Sequence, residues 1–525
     1  MHHDDSYSLN DDIDYNPLTK QAQSSHIPSY YQIDTSAIYK SWIFYGVVLL
    51  LVFAVVLSIL LGSTLIVVLV RQSSPIISKP KNIIFMVGDG FGPASQTFAR
   101  VASGNGSLAL DDYFVGTSRT YSSDSTVTDS AAGATAFACG LKSYNGAIGV
   151  DPQGKPCGTI LEAALQKGMK TGLISTTFLS DATPASFSAH AGLRSSVQEI
   201  AKQQIVDLTN FVVGDKKYAL DVMLGGGRCY IAGKAQSDFT SCRTDDFEGI
   251  KESKALGYNF ISNREDLLKV DSLPIMGLFA DKKMRYNIDR TENDPEPTLL
   301  EMVKKGIGLL SKSNPDGFFL VIEGARIDHA GHSNDISAQV REVFHYNEVF
   351  KYVSEWANEN KETLVVSTAD HETGGLTLGR AVDGVSLYTF NYTVALNVNK
   401  STEVMATDIM SKLNQGSSFN DTVKSVLISN GLSSPISDFE VYIAQSTQDV
   451  RSNVTALMLG LGEIINRRVR VGFSTVAHTG VDVNVYSAGV QSEKFKGNQE
   501  NTALGNKIAA MMDFDLKAIT EKLNE

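Results

Sequence analysis

Apolar positions along this chain follow three regimes. From Trp42 to Val70 the run "WIFYGVVLLLVFAVVLSILLGSTLIVVLV" carries no charge. About 20 apolar residues suffice to cross a bilayer as a helix, so the run predicts a transmembrane anchor over 42–70. Its length, and the 41 polar residues before it, argue against a cleaved signal peptide. From residue 81 the pattern changes. "NIIFMV" (82–87), "TGLIST" (171–176), "GFFLVI" (317–322) and "TLVVST" (363–368) read as buried parallel strands. Between them lie helical patterns over 158–168, 297–312 and near 336–356. The alternation predicts an α/β fold, a mostly parallel central sheet flanked by helices. Residues 380–470 break the rhythm and read as an inserted surface subdomain.

The flanks complete the organisation. Residues 1–41 hold six Asp against two Lys and predict a tail without a fold. Two Y-x-x-Φ patterns in it, Tyr15–Leu18 and Tyr30–Ile33, match sorting signals but are common by chance. "RQSSPIISKP" (71–80) reads as a linker, and 81–525 as one large body.

Charge removes one class of partner. The net charge of −12 and the lack of any strongly basic block exclude a nucleic-acid surface. Orientation is contested by two signals. Lys40 flanks one side of the anchor and Arg71, Lys79 and Lys81 the other, which favours a cytosolic body. Five N-x-S/T sequons, at Asn105, Asn391, Asn399, Asn420 and Asn453, all follow the anchor. Long folded domains translocate largely regardless of flanking charge, so a cytosolic N-terminus and a lumenal or extracellular body are expected. All four Cys lie in that body. Cys229 and Cys242 bracket a short polar segment and suit a disulfide. Cys139 reads as a small buried side chain in an Ala-rich helix, and Cys157 has no assignment.

Chemistry gathers where strands end. "STVTDSAAGATAFACG" (125–140) places Ser130 at the mouth of a helix, beside Asp129. Both residues suit a helix cap. Equally, Ser130 Oγ at a helix N-terminus faces the position favoured by an incoming phosphate; such a nucleophile needs a distant activator. After "NIIFMV" comes Asp89; after "GFFLVI" come Glu323, Asp328 and His332; after "TLVVST" come Asp370 and His371; His478 follows downstream. Sites in open α/β sheets form at the carboxyl ends of strands. A single Asp there is usually a turn former, but this many carboxylates on one edge repel unless cations join them. Mixed His and Asp sets suit zinc, all-oxygen sets magnesium. Two metals about 4 Å apart can serve an in-line phosphoryl displacement.

These residues resemble the alkaline phosphatase family. "GDG", "TDSAAGATA", "DATPASFSAHAGLR", "EGARIDHAGH", "ADHETGG" and "AHTG" occur in family order between about Lys81 and Gly489. An anchor before such a body is similar to the fungal vacuolar members. The resemblance implies Ser130 as a nucleophile that becomes a phosphoserine. It implies one zinc on Asp328, His332 and His478, a second zinc on Asp89, Asp370 and His371, and a magnesium on Asp89, Thr183 and Glu323. Arg194 would hold two phosphate oxygens. Asp181 matches a position that orders magnesium-bound water, and His329 one where bacterial members carry Lys and animal members His. It further implies a homodimer.

The expected activity is therefore hydrolysis of phosphate monoesters by a glycosylated, single-pass type II protein, body in the vacuolar lumen or at the cell surface. A related two-metal phosphodiesterase or sulfatase is the enzymatic alternative. An inactive lumenal adhesion protein is the other, and it predicts a missing ligand.

Overall fold

A computed structural model describes residues 35–72, 79–446 and 453–525. The tyrosine patterns of the tail, and residues 73–78 of the linker, lie outside the described residues. The chain divides into two compact units between residues 76 and 77.

Among the described residues the first unit is one helix, Thr35–Gln72. Its Tyr39–Thr64 stretch has a mean hydropathy of 3.0 and is long and apolar enough to cross a membrane. The helix starts seven residues before Trp42, inside the segment expected to lack a fold. Extending a helix by a turn costs far less than nucleating one, so "TSAIYKS" continues the apolar run.

The second unit is built on strands. In chain order these are Asn82–Gly88 (β1), Phe114–Arg119 (β2), Lys170–Phe178 (β3), Val222–Gly226 (β4), Asn259–Ile261 (β5), Ile275–Leu278 (β6), Phe318–Gly324 (β7), Thr363–Thr368 (β8), Glu372–Thr373 (β9), Leu376–Leu378 (β10), Val471–Phe473 (β11), His478–Thr479 (β12), Val483–Gly489 (β13) and Gly497–Glu500 (β14). Ten of them form one sheet in the order β14-β2-β13-β8-β1-β7-β3-β4-β6-β5. Only β13 runs antiparallel to its neighbours. The four strands expected from the apolar runs are β1, β3, β7 and β8, and they lie side by side in its centre.

The two faces of β1 explain why its sequence is apolar throughout. Ile84 and Met86 join one buried cluster, with side chains of helices Leu299–Leu310 and Ile336–Glu359. Ile83, Phe85 and Val87 join the other, with Phe137 and side chains of helices Ile160–Gln166 and Asn501–Met512. Successive residues of a strand point to opposite faces, so a strand covered on both sides shows no polar alternation.

The segment breaking the alternation is helical, with helices Tyr392–Asn397, Thr402–Asn414, Phe419–Ser429, Asp438–Ser446 and Val454–Val469. It leaves and returns through the β10–β11 ribbon, where Leu376 pairs with Phe473. Its apolar side chains Met405, Ile409 and Leu461 belong to the same cluster as Ile84 and Met86, so it shares the body's core.

Candidate metal and phosphate site

The capping and nucleophile readings of residues 129–130 divide between the two residues. Asp129 Oδ1 accepts from the Ala132 N–H at 3.0 Å and caps the helix Ser130–Cys139. Ser130, the first helical residue, is buried, with its Oγ 3.0 Å from His371 Nε2.

The carboxyl ends of β1, β7 and β8 supply the ligands' elements. Asp89 follows β1, Glu323 is the next-to-last residue of β7, helix Arg326–His332 follows it, and Asp370 and His371 follow β8. His478 comes from β12, paired antiparallel with β9. Asp328, His332 and His478 converge. His332 Nε2 lies 3.3 Å from Asp328 Oδ2 and 3.2 Å from His478 Nε2, which is 3.6 Å from Asp328 Oδ1. The other ring nitrogens face carbonyls: His332 Nδ1 donates to Val476 O at 2.6 Å and His478 Nδ1 to Thr128 O at 2.9 Å. A carbonyl only accepts, so both Nδ1 carry hydrogen and two Nε2 atoms meet. In neutral rings these are bare lone pairs, an arrangement that a cation between them would relieve. Ligands about 2.0–2.1 Å from a tetrahedral zinc are about 3.3 Å apart, close to the spacing found.

A second set forms beside it. His371 Nε2 lies 3.2 Å from Asp370 Oδ2 and 3.6 Å from Asp89 Oδ1. Both of these carboxylate oxygens are buried with no hydrogen-bond partner. Asp370 Oδ1, by contrast, accepts from the Gly90 and His371 N–H groups, which fixes the carboxylate. Burial, then Asp370, pushes the Asp89 carboxyl well above its ordinary value. Such unpartnered oxygens fit a divalent cation. His371 also groups with Asp328 and His478, and its ring stacks on His478 at 3.5 Å, so the two sets are contiguous.

The third set is oxygen-rich. Glu323 is buried and pushed up to about 8, by burial and then by Asp181. Its Oε2 accepts from Ser175 Oγ at 2.5 Å. Thr183 Oγ1 is buried without a hydrogen-bond partner. These donors fit a hard cation such as magnesium.

Arg194 is the cation of the site. Its Nη1 lies 3.2 Å from Asp129 Oδ2 and its Nη2 3.2 Å from Asp181 Oδ1. Burial opposes its charge, but Asp181 and Asp129 outweigh burial and hold its pKa above the ordinary value. His329 stands apart. Burial, then Arg326, drives its pKa well below the usual imidazole range, and its buried Nδ1 has no partner. No described contact joins His329 to Asp181.

Sequence reasoning missed three members of this constellation. Asp129 was legible only as a cap, although it also grips Arg194. Ser175 reads as the end of an apolar strand. Thr373 sits two residues after His371, a spacing that places both on one side of an extended chain. The cysteines bring a correction. Cys139 is no isolated small side chain: it pairs with Cys157 across 18 residues. No local signal marks the pair, because the partner lies in a loop folded back onto the helix end. Cys229 pairs with Cys242.

Residues 80–514 match the family model described as alkaline phosphatase. The chain belongs to the alkaline phosphatase family. It is 39% identical over 483 residues to the repressible alkaline phosphatase of Saccharomyces cerevisiae, covering 85% of this chain and 84% of that one. It is also 39% identical to the alkaline phosphatase of Schizosaccharomyces pombe, over 93% of this chain and 90% of the relative. Among solved structures, the alkaline phosphatase of Thermus thermophilus superposes with a TM-score of 0.72 at 25% identity, covering 86% of this chain and 97% of that one. A variant of the alkaline phosphatase from the Antarctic bacterium TAB5, at 26% identity and a TM-score of 0.59 over 84% of this chain and 99% of that one, was solved with Mg bound in its M3 site. The protein is thus a hydrolase of phosphate monoesters from a metal-dependent family with the alkaline phosphatase fold.

Proposed function

We propose that Ser130 is the nucleophile and that the chain works through a phosphoserine. The observation that carries this is Ser130 Oγ at a helix N-terminus, beside His371 and next in the chain to Asp129, which holds Arg194. Ser130 Oγ gives up its proton to solvent and bonds to phosphorus, the ester P–O bond breaks, and the alcohol leaves with a proton from solvent. Water then attacks the phosphoserine, the P–Oγ bond breaks, and inorganic phosphate departs. Arg194 grips two unesterified oxygens through its planar fork. Asp129 and Asp181 keep that fork from swinging away.

Asp328, His332 and His478 would hold one zinc, Asp89, Asp370 and His371 a second, and Asp89, Thr183 and Glu323 a magnesium. Bound there, the ions supply positive charge to the entering and leaving oxygens. Asp181 orients the magnesium site's edge while pairing with Arg194.

The apolar helix is read as a single membrane span, with a cytosolic N-terminus and a lumenal body, in the vacuole or at the cell surface. Two observations support this orientation. All five sequon asparagines are exposed, and all four cysteines are paired. A homodimer is the expected assembly.

The test is a comparison of an aryl phosphate monoester and diester on the purified chain, with zinc and magnesium quantified. Fast, alkaline-favoured monoester turnover with two zinc ions per chain is expected. Comparable rates on both esters would favour a diesterase instead.

A further inference from the structure

The Thr373 hydroxyl joins the two imidazole–carboxylate sets. It is wholly buried, donates to Asp328 Oδ1 at 2.5 Å, and lies 3.2 Å from His371 Nδ1. A hydroxyl has one proton to give. An ionised carboxylate takes it, because it cannot donate in return. His371 Nδ1 must then be the donor to Thr373 Oγ1. The tautomer of His371 is thereby fixed: Nδ1 bears hydrogen, and Nε2 is left to face Ser130, Asp89 and Asp370.

The fold leaves Thr373 little alternative position. Its strand pairs Thr373 directly with His478. Gly90 has φ of +68°, and a Cβ there would lie 2.7 Å from both Thr373 Oγ1 and Asp328 Cα. A Cβ on Gly331 would lie 2.8 Å from Thr373 O and 3.0 Å from its side chain. Two glycines thus form a slot in which the hydroxyl touches Asp328 on one side and His371 on the other.

We infer that Thr373 is a positioning residue that fixes the His371 tautomer and couples the Asp328–His332–His478 set to the Asp89–Asp370–His371 set. This rests on the reading of those sets as zinc sites. Neighbours that orient metal-binding His typically contribute 10- to 100-fold in metal affinity. Without the hydroxyl, His371 Nδ1 loses its acceptor and its ring loses both its preferred tautomer and its hold.

The experiment is zinc competition against a chromogenic chelator, on the full-length chain in detergent. Thr373→Val, which keeps the side-chain shape, is expected to weaken zinc retention by roughly 10- to 100-fold. Thr373→Ala is expected to match it without adding apolar bulk, and Thr373→Ser to retain wild-type affinity. If Thr373→Val fails to fold, the Ala and Ser variants decide. Val and Ala variants that hold zinc as tightly as wild type would overturn the assignment. So would a Ser variant as weak as Ala, since the methyl group would then be what matters. A wild-type chain that holds no zinc would instead remove the underlying metal reading, and this inference with it. With zinc saturating, the Val variant is expected to recover much of its turnover, which separates lost metal from lost chemistry.

Discussion

Arg194 Nη1 lies 3.2 Å from Asp129 Oδ2, so the carboxylate adjoining the proposed nucleophile in sequence also holds in space the cation proposed to bind phosphate. Asp181 grips the other terminal nitrogen at 3.2 Å. Arg194→Lys replaces a fork with a point charge that cannot span both carboxylates and a phosphate. Each charged hydrogen bond lost is worth about 1.5–3 kcal/mol. The inhibition constant for phosphate and KM for a monoester are expected to rise by roughly 10- to 100-fold. Diester turnover should suffer less, because a diester offers fewer free oxygens. Equal losses on both substrates would remove Arg194 from the phosphate.

Ser130→Ala is expected to abolish acid-stable phosphate labelling and to lower turnover by roughly two orders of magnitude or more, the scale of losing a positioned nucleophile. Zinc content should stay nearly unchanged, since the convergent ligands are Asp and His side chains. Labelling with radioactive phosphate at acid pH, beside metal analysis, reads both. Persisting label in the variant would place the intermediate elsewhere.

Metal-stripped protein should become less stable as pH rises. Burial, then Asp181, lifts Glu323 from 4.5 to about 8. Burial, then Asp370, lifts Asp89 as well. Each carboxyl keeps its proton in the folded state where the unfolded chain has lost it, so the stability they contribute is full below the unfolded value and lost as pH passes the folded one. Asp328 and Asp370, held below 3.8 against the opposing effect of burial by His332 and His371 respectively, contribute a stability that is constant above that value and is lost only as pH falls below it. The expected result is a Tm, with chelator, that falls between about pH 5 and about pH 8. Adding zinc and magnesium should restore it most at the upper end. Glu323→Gln should flatten the slope. A stripped protein that gains stability over that range would contradict the clustering of unpaired carboxyls.

Surface chemistry tests the orientation. Endoglycosidase is expected to increase gel mobility, because every sequon asparagine is exposed. Denatured without reductant, the chain should expose no reactive thiol, since both cysteine pairs are closed. Replacing Cys139 and Cys157 together by Ala should cost about 3 kcal/mol, the usual scale for a loop of this length. An unshifted band with free thiols would reverse the topology.

What the sequence disclosed follows the range of each interaction. The central strands were legible because burial on both faces leaves continuous apolar runs such as Ile83–Val87. The convergence of Asp89, Asp328 and Asp370 was legible because parallel strands deliver their carboxyl ends to one edge. The Cys139–Cys157 pair was not, since nothing local marks a loop that folds back. Nor was Thr373, whose neighbours Gly90 and Asp328 are distant in the chain and meet only through the β8–β1–β7 order. The outer strands β2, β5, β6 and β14 are short or polar and carry no run that periodicity detects. His329 is buried beside Arg326 and Lys283, two cations that oppose a further positive charge, and beside the Asp328 carboxylate, which favours one.

The helix Asn501–Met512 packs on the nucleophile's own helix: Leu504 and Ile508 share a core with Phe137, and Asn506 Nδ2 donates to Gly140 O at 2.8 Å. More than 360 residues separate those hydrogen-bonded partners. Chains fold as they emerge, earlier segments first, yet Ser130's helix lacks one of its packing partners until residues beyond 500 have been made. A ribosome still elongating this chain therefore carries no finished phosphatase.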